Sequence, residues 1–318
     1  MRSFNTLFFV LFMLTTAPAI CNAQQLTNTS FTLTTSDNIK LPVKVSGKGS
    51  PCMFVPGGPG DAYISFEQLG GNNLEKYLTM VYMDQRGAGS AQNASDYSMD
   101  RMLKDMDEVR AKLHIDKMYL LSHSFGGILL VNYAKKYPQH VLGLILVNST
   151  LYFLSPAGLA EQFKYGYKLL GKDTSITSTN VDTLFDANGK LRQKMRKAHV
   201  AYKLLTDSIK TIVLLDKLDS LHPRTTDFGY KVMGPVIDKS QKMMYPEYYK
   251  DYTPLTTQIN APVLVINGTH DHAIGPDHYK LFKFPHQKVV QIDGGHLLYY
   301  EENKKFVEAV RQFVVTKN

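Results

Sequence analysis

The sequence predicts an α/β fold: a mostly parallel sheet with helices on both faces and a helical insertion above it. Three observations predict it. Short apolar runs alternate with longer stretches of helical spacing, that rhythm stops between residues 151 and 252, and it resumes afterwards to the C-terminus.

Residues 31–35 and 39–45 flank Ser36-Asp37-Asn38, a turn signal that joins two strands into a hairpin. The runs 52–55 and 80–83 are apolar throughout, as strands covered on both faces should be. Between 98 and 114, Met102, Leu103, Met106, Val109 and Leu113 recur at helical spacing behind Ser98, a suitable N-cap. A strand at 118–121, a helix at 125–137 stopped by Pro138 and a strand at 142–147 follow. The last two strands fall at 262–267 and 289–292, and a helix at 303–315 closes the chain.

From 151 to 252 strand-like runs vanish, and Lys, Tyr and Met appear at helical spacing with breaks at Gly171, Pro223, Gly234 and Pro246. The expected division is therefore a core of 24–150 and 253–318 with a helical cap of 151–252. An insertion between two core strands lies above the strand C-termini, where open α/β sheets bind ligands. Its aromatic residues Tyr152, Phe153, Phe163, Tyr165 and Tyr167 suit an apolar side chain, or else form the insertion's own core.

Ahead of the core, residues 1–23 read as a secretory signal: Arg2, an unbroken apolar run at 7–14, then Cys21-Asn22-Ala23 before Gln24. That run is too short to cross a bilayer, which takes about 20 residues. Export to the periplasm or the exterior is expected, without stable membrane insertion. Lipidation of Cys21 is an alternative, disfavoured because Ile20 before it is not small. The formal charge of +8 is spread over scattered lysines with no nucleic-acid motif, so a solvated basic surface is expected and a nucleic-acid partner is not. Once the signal is removed Cys52 is the one cysteine left, so no intrachain disulfide can form. It lies in an apolar run, the place of a small buried hydrophobe.

Ser122-His123-Ser124-Phe125-Gly126 follows a predicted strand and opens a predicted helix, the context of a nucleophile elbow. Such a turn needs small residues two positions to each side, which Ser122 and Gly126 supply. It also points the Ser124 hydroxyl out of the sheet at a helix N-terminus. A serine needs a base to take its proton. His296, in the glycine-rich Asp293-Gly294-Gly295-His296 after the last strand, can reach across the sheet top; His123 adjoins the serine and is read as structural. Asp271 lies just past the strand at 262–267 and gives the order Ser, Asp, His. In some hydrolases the acid follows the preceding core strand, but that position holds Asn148. His270, His272 and His278 cluster nearby without metal-ligand spacing, so neither a metal nor another cofactor is expected. Pro56-Gly57-Gly58-Pro59-Gly60 follows a strand and lets backbone N–H groups approach an oxygen. Gly58 and Phe125 are the expected oxyanion donors.

Pro56-Gly57-Gly58-Pro59-Gly60 together with Asp84-Gln85-Arg86-Gly87-Ala88-Gly89-Ser90 resembles the proline iminopeptidase group of α/β-hydrolases. That group carries HGGPG and DQRGxGxS at these places, followed by the elbow, the acid and the histidine. The likeness spans 43–147 and 261–315. It implies an α/β-hydrolase fold and an exopeptidase that removes N-terminal residues, often proline, beneath a helical cap. Pro56 stands where the group has His, and Ser122-His123-Ser124-Phe125-Gly126-Gly127 replaces its Gly-Gly-Ser-Trp-Gly-Ser, a form closer to general ester and amide hydrolases. In the group, cap glutamates hold the substrate's ammonium. Glu161, on the first predicted cap helix (156–170), is the favoured counterpart here, with an ordinary solvated glutamate the alternative. The expected partner is thus a small peptide, with a small ester or amide the alternative of a carboxylesterase. A non-catalytic ligand binder is the reading from another class, and the complete Ser124, Asp271 and His296 set disfavours it.

Overall fold

The central strands are apolar at nearly every position because both of their faces are covered. In the computed structural model, which describes residues 28–222 and 225–315, eight strands form one sheet. They are β1 (Thr29–Thr34), β2 (Lys40–Gly47), β3 (Ser50–Val55), β4 (Leu78–Met83), β5 (Met118–His123), β6 (Val141–Val147), β7 (Val263–Gly268) and β8 (Gln287–Ile292). Their spatial order is β1-β2-β4-β3-β5-β6-β7-β8. β2 runs antiparallel to both of its neighbours, and all other pairs are parallel. β4, β5 and β7 are buried along their whole length. The expected signal and Cys21 lie outside the described residues.

Alternation along β3 divides the core into two layers. Met53 and Val55 face one apolar cluster with Leu120, Leu144 and Val265, while Cys52 and Phe54 face another with Leu121, Ile145 and Ile266. Helices α2 (Met99–Lys112) and α3 (Gly126–Lys136) cover the first layer. α1 (Tyr63–Gln68) and the C-terminal α9 (Asn303–Val315), preceded by the short α8 (Leu298–Glu301), cover the second. α1 has no counterpart in the sequence reading, because six residues are too few to display a helical period. β8 begins two residues earlier than its apolar run, since Gln287 and Lys288 are tolerated on an edge strand with solvent beside it.

Between β6 and β7 the described residues form α4 (Pro156–Leu169), α5 (Val181–Lys197), α6 (Ile209–Leu221) and α7 (Asp227–Ile237) and add no strand to the sheet. Ser155 caps α4 by accepting from Gly158 N at 3.1 Å, and Asn180 caps α5 from Thr183 N at 2.9 Å. α4 and α5 pack closely through Gly166, where an added Cβ would stand 2.7 Å from Leu191 Cδ2. α7 is tied to the core by backbone: Phe228 N donates to Gly87 O at 3.0 Å and Thr225 N to Gly89 O at 2.9 Å. Gly229 meets the Pro59-Gly60 backbone so closely that a Cβ there would lie 2.7 Å from Pro59 O.

The loop that receives α7 is itself closed by charge. Asp84 accepts from Tyr63 N at 2.8 Å and from Ser90 N and Oγ at 2.8 and 2.9 Å. Arg86 is fully buried and spends all five donors, on Asp105, Asp37 and the Asp96 carbonyl, at 2.6–3.0 Å. Gln85 donates to Pro56 O at 3.1 Å and so carries this order into the glycine loop. Arg86→Leu would leave Asp105 buried with one cation fewer, and breaking a buried pair costs about 3–5 kcal/mol. A denaturant titration of Arg86→Leu should show a loss of that size; a loss below about 1 kcal/mol would mean that the network is not holding the loop.

Candidate active site

β5 ends in a turn so tight that Ser124 takes a φ of 52°, a left-handed conformation uncommon outside glycine. The neighbours show why the turn cannot relax. A Cβ at Gly126 would sit 2.4 Å from Val55 O, and one at Gly127 would sit 2.8 Å from Thr150 O. Ser122 fits because its hydroxyl meets Ser149 Oγ at 2.9 Å inside the core. Backbone bonds hold the turn itself, with Ser124 N donating to Asn148 O at 3.1 Å and Thr150 N to Ser124 O at 3.0 Å.

The structure brings Ser124, His296 and Asp271 together. Ser124 Oγ lies 2.9 Å from His296 Nε2, and His296 Nδ1 lies 2.9 Å from Asp271 Oδ2. Facing a carboxylate, Nδ1 carries the ring hydrogen, which leaves Nε2 to accept from the serine hydroxyl. Asp271 is fully buried, and its other oxygen accepts from Ala273 N at 3.0 Å and Ile274 N at 3.3 Å. The hydroxyl is thereby poised to lose its proton to the ring, and the resulting imidazolium would face a fixed negative charge.

Two further residues hold the His296 loop. Asn148 Nδ2 donates to Gly295 O at 2.8 Å and His296 O at 3.0 Å, while its Oδ1 accepts from Gly268 N at 2.7 Å. His123 Nε2 meets His296 O at 2.9 Å. Burial, together with the neighbouring His296 ring, pushes the His123 pKa down from 6.5 to about 3. The sequence marked both residues, Asn148 as an unused acid position and His123 as structural, but no local spacing could show that both reach a loop more than 140 positions away.

Gly57 and Gly58 pass beside the hydroxyl. A Cβ at Gly57 would stand 2.9 Å from Ser124 Cβ, and Gly58 has a φ of 106°. Among the described residues, no protein group accepts from the N–H of Gly58 or of Phe125. Ser124, Gly58 and His296 open into a cavity of about 630 Å3 roofed by the insertion. Phe153, Leu154 and Leu159 give it an apolar part; Asp61, Asp216 and Asp219 and Arg192 supply charge.

Glu161 is not brought to that wall. Its Oε1 meets His272 Nδ1 at 2.7 Å, His272 stacks on Tyr165, and Glu161 Oε2 is buried without a hydrogen-bond partner. The helical period placed Glu161 on α4 correctly but could not tell which face of α4 roofs the cavity; Leu159 and Gln162 do so instead. Of the remaining histidines, His270 lies between Asp207 and Asp293 at 3.2 and 3.4 Å, and His278 Nε2 accepts from Leu151 N at 3.1 Å. Among the described residues, no three His, Cys, Asp or Glu side chains are placed to hold a metal ion, and no helix is long and apolar enough to cross a membrane.

Strand order, elbow and cavity together are those of an α/β-hydrolase. Residues 51–303 match the family model described as alpha/beta hydrolase fold, and the chain belongs to that family. It is similar to the proline iminopeptidase of Saccharolobus solfataricus, 24% identical over 286 residues that cover 85% of this chain and 86% of that protein. Among solved structures it resembles a proline iminopeptidase-related protein from Thermus thermophilus, with a TM-score of 0.68 and 19% identity, over 90% of this chain and 97% of that one. A thermophilic esterase from Thermogutta terrifontis gives a TM-score of 0.64 and 20% identity, over 91% and 98%.

Burial also lowers the pKa of His278, to about 4. Both His123 and His278 are thus harder to protonate in the folded chain than in the unfolded one. The stability that their neutral forms confer is complete above about pH 6.5 and is lost progressively as pH falls from there to 4 and then 3. The melting temperature should therefore drop on acidification from pH 6.5 to 4, and His278→Gln should make that drop shallower. An identical pH profile for the variant would remove His278 from the balance.

Proposed function

We propose that this chain is an exported serine hydrolase working through an acyl-enzyme, an aminopeptidase of proline iminopeptidase type. The observation that carries the chemistry is the unbroken contact from Ser124 Oγ through His296 to Asp271 at the floor of a cavity. In this reading His296 Nε2 takes the Ser124 proton as Oγ bonds to the substrate carbonyl carbon. The N–H groups of Gly58 and Phe125 hold the oxygen that becomes negative. The carbon–nitrogen bond then breaks, the proton on His296 goes to the leaving amine, and a water molecule repeats the sequence on the ester to free Ser124. No cofactor is needed.

The peptidase reading draws on the relatives named proline iminopeptidase and on the charge of the cavity. An aminopeptidase must hold an ammonium group. With Glu161 engaged by His272, Asp216 on α6 is the wall acid that takes its place in this reading, and Asp61 and Asp219 add negative charge to the same cavity. The export reading rests on residues 1–23 as a sequence.

A fluorophosphonate should label the protein at Ser124, and Ser124→Ala should abolish labelling and lower turnover at least about 10³-fold. Proline p-nitroanilide should be cleaved faster than short p-nitrophenyl esters. Cleavage of the esters alone would replace the peptidase by a carboxylesterase, and absence of labelling would end the hydrolase reading. Gly57→Ala leaves Ser124, His296 and Asp271 in the sequence yet pushes a methyl against Ser124 Cβ and His123 O. A displacement near 1 Å costs roughly 10²-fold in rate, so labelling of Gly57→Ala should slow by that order; an unchanged rate would show that the glycine loop can shift freely.

A further inference from the structure

Among the described residues lining the cavity, Arg192 is the only lysine or arginine. It lies on α5 one turn after Asn188 and Gly189, which line the cavity with it. A Cβ built at Gly189 would meet nothing within 4 Å, so the space beside this face of α5 is open. Arg192 Nη2 donates to Gln162 Oε1 at 2.8 Å, and Gln162 Nε2 donates in turn to Ala273 O, two residues past Asp271. The guanidinium is therefore steered by the loop that carries the acid of the catalytic set.

The bond to Gln162 takes one of the five guanidinium donors, and among the described residues no carboxylate lies within ion-pair distance of Arg192. The side chain is exposed to the open space of the cavity, and Arg196, one turn later on the same helix, sets a second positive charge near it. A cation set in this way is best satisfied by an anion entering from the cavity, and a planar fork of donors matches a carboxylate. Asp216, an acid of the wall, belongs to a different helix, α6. The cavity thus offers sites of both signs, one for a cation and one for an anion.

We propose that Arg192 binds a carboxylate of the substrate, which makes this enzyme selective for short peptides whose free C-terminus reaches α5. This rests on the peptidase reading for the identity of the substrate, while the carboxylate site itself does not. A dipeptide at neutral pH is a zwitterion and meets both requirements. Its amide lacks the anion and loses one of them.

The test measures the affinity of the full chain carrying Ser124→Ala, which cannot turn substrate over, for Pro-Ala and for Pro-Ala amide by calorimetry. Charge-assisted hydrogen bonds of this kind predict about tenfold or tighter binding of the acid. Adding Arg192→Gln should erase that preference, and Arg192→Lys should keep part of it. Equal affinity for acid and amide, no binding of the acid, or a preference that survives Arg192→Gln would each overturn the site. Turnover of Pro-Ala by the unaltered enzyme separates the two readings. Cleavage without any preference for the acid removes the Arg192 site alone, whereas a preference without cleavage keeps the carboxylate site and removes the peptidase.

Discussion

Everything at the candidate site depends on how little room there is where β5 turns into α3. The carbonyls of Val55 and Pro56 press on Gly126, Ser149 and Thr150 press on Gly127, and Gly57 lies against Ser124 itself. In this crowding the serine backbone is held left-handed, and its hydroxyl meets His296 Nε2 at the cavity. Small residues around the turn are steric necessities before they are anything chemical. The hydroxyl is accurately placed because the surrounding backbone cannot move without collision.

A second layer of order lies under the first. Arg86, buried with every donor used, fixes the Asp84–Ser90 loop; Gln85 extends that order to Pro56, and the loop backbone receives α7. The same few residues thus set the height of the glycine loop and the seating of the roof. The Asp84–Ser90 part of the motif that resembles proline iminopeptidases carries no reacting group of its own. Its residues build the frame in which the reacting groups meet.

Much of this was legible in the chain, and for identifiable reasons. Strand positions follow from apolar runs such as 52–55 and 262–267, because strands covered on both faces must be apolar along their length. Ser124, Asp271 and His296 were distinguishable because each lies within four residues of the C-terminal end of a strand, and those ends in a parallel sheet converge on one edge. The cavity was not legible. Which face of α4 or α5 looks inward depends on the tilt of each helix, and no period in the sequence encodes tilt. Glu161 and Gln162 are adjacent in sequence, yet one meets His272 while the other lines the cavity and steers Arg192. β8, with its polar Gln287 and Lys288, shows the same limit at an edge, where burial no longer constrains composition.

Asn148 shows what one amide can decide. It must donate to two carbonyls of the His296 loop and accept from Gly268 N, which only a side chain with both an N–H2 and an oxygen can do. Aspartate, a single base change away from asparagine, would turn a lone pair toward Gly295 O and His296 O. The position that carries the acid in some related hydrolases is therefore closed to an acid here unless the His296 loop is rebuilt at the same time. Moving a carboxylate to this strand end would therefore take at least two coordinated changes, because Asn148→Asp alone would set an anion against two carbonyl oxygens.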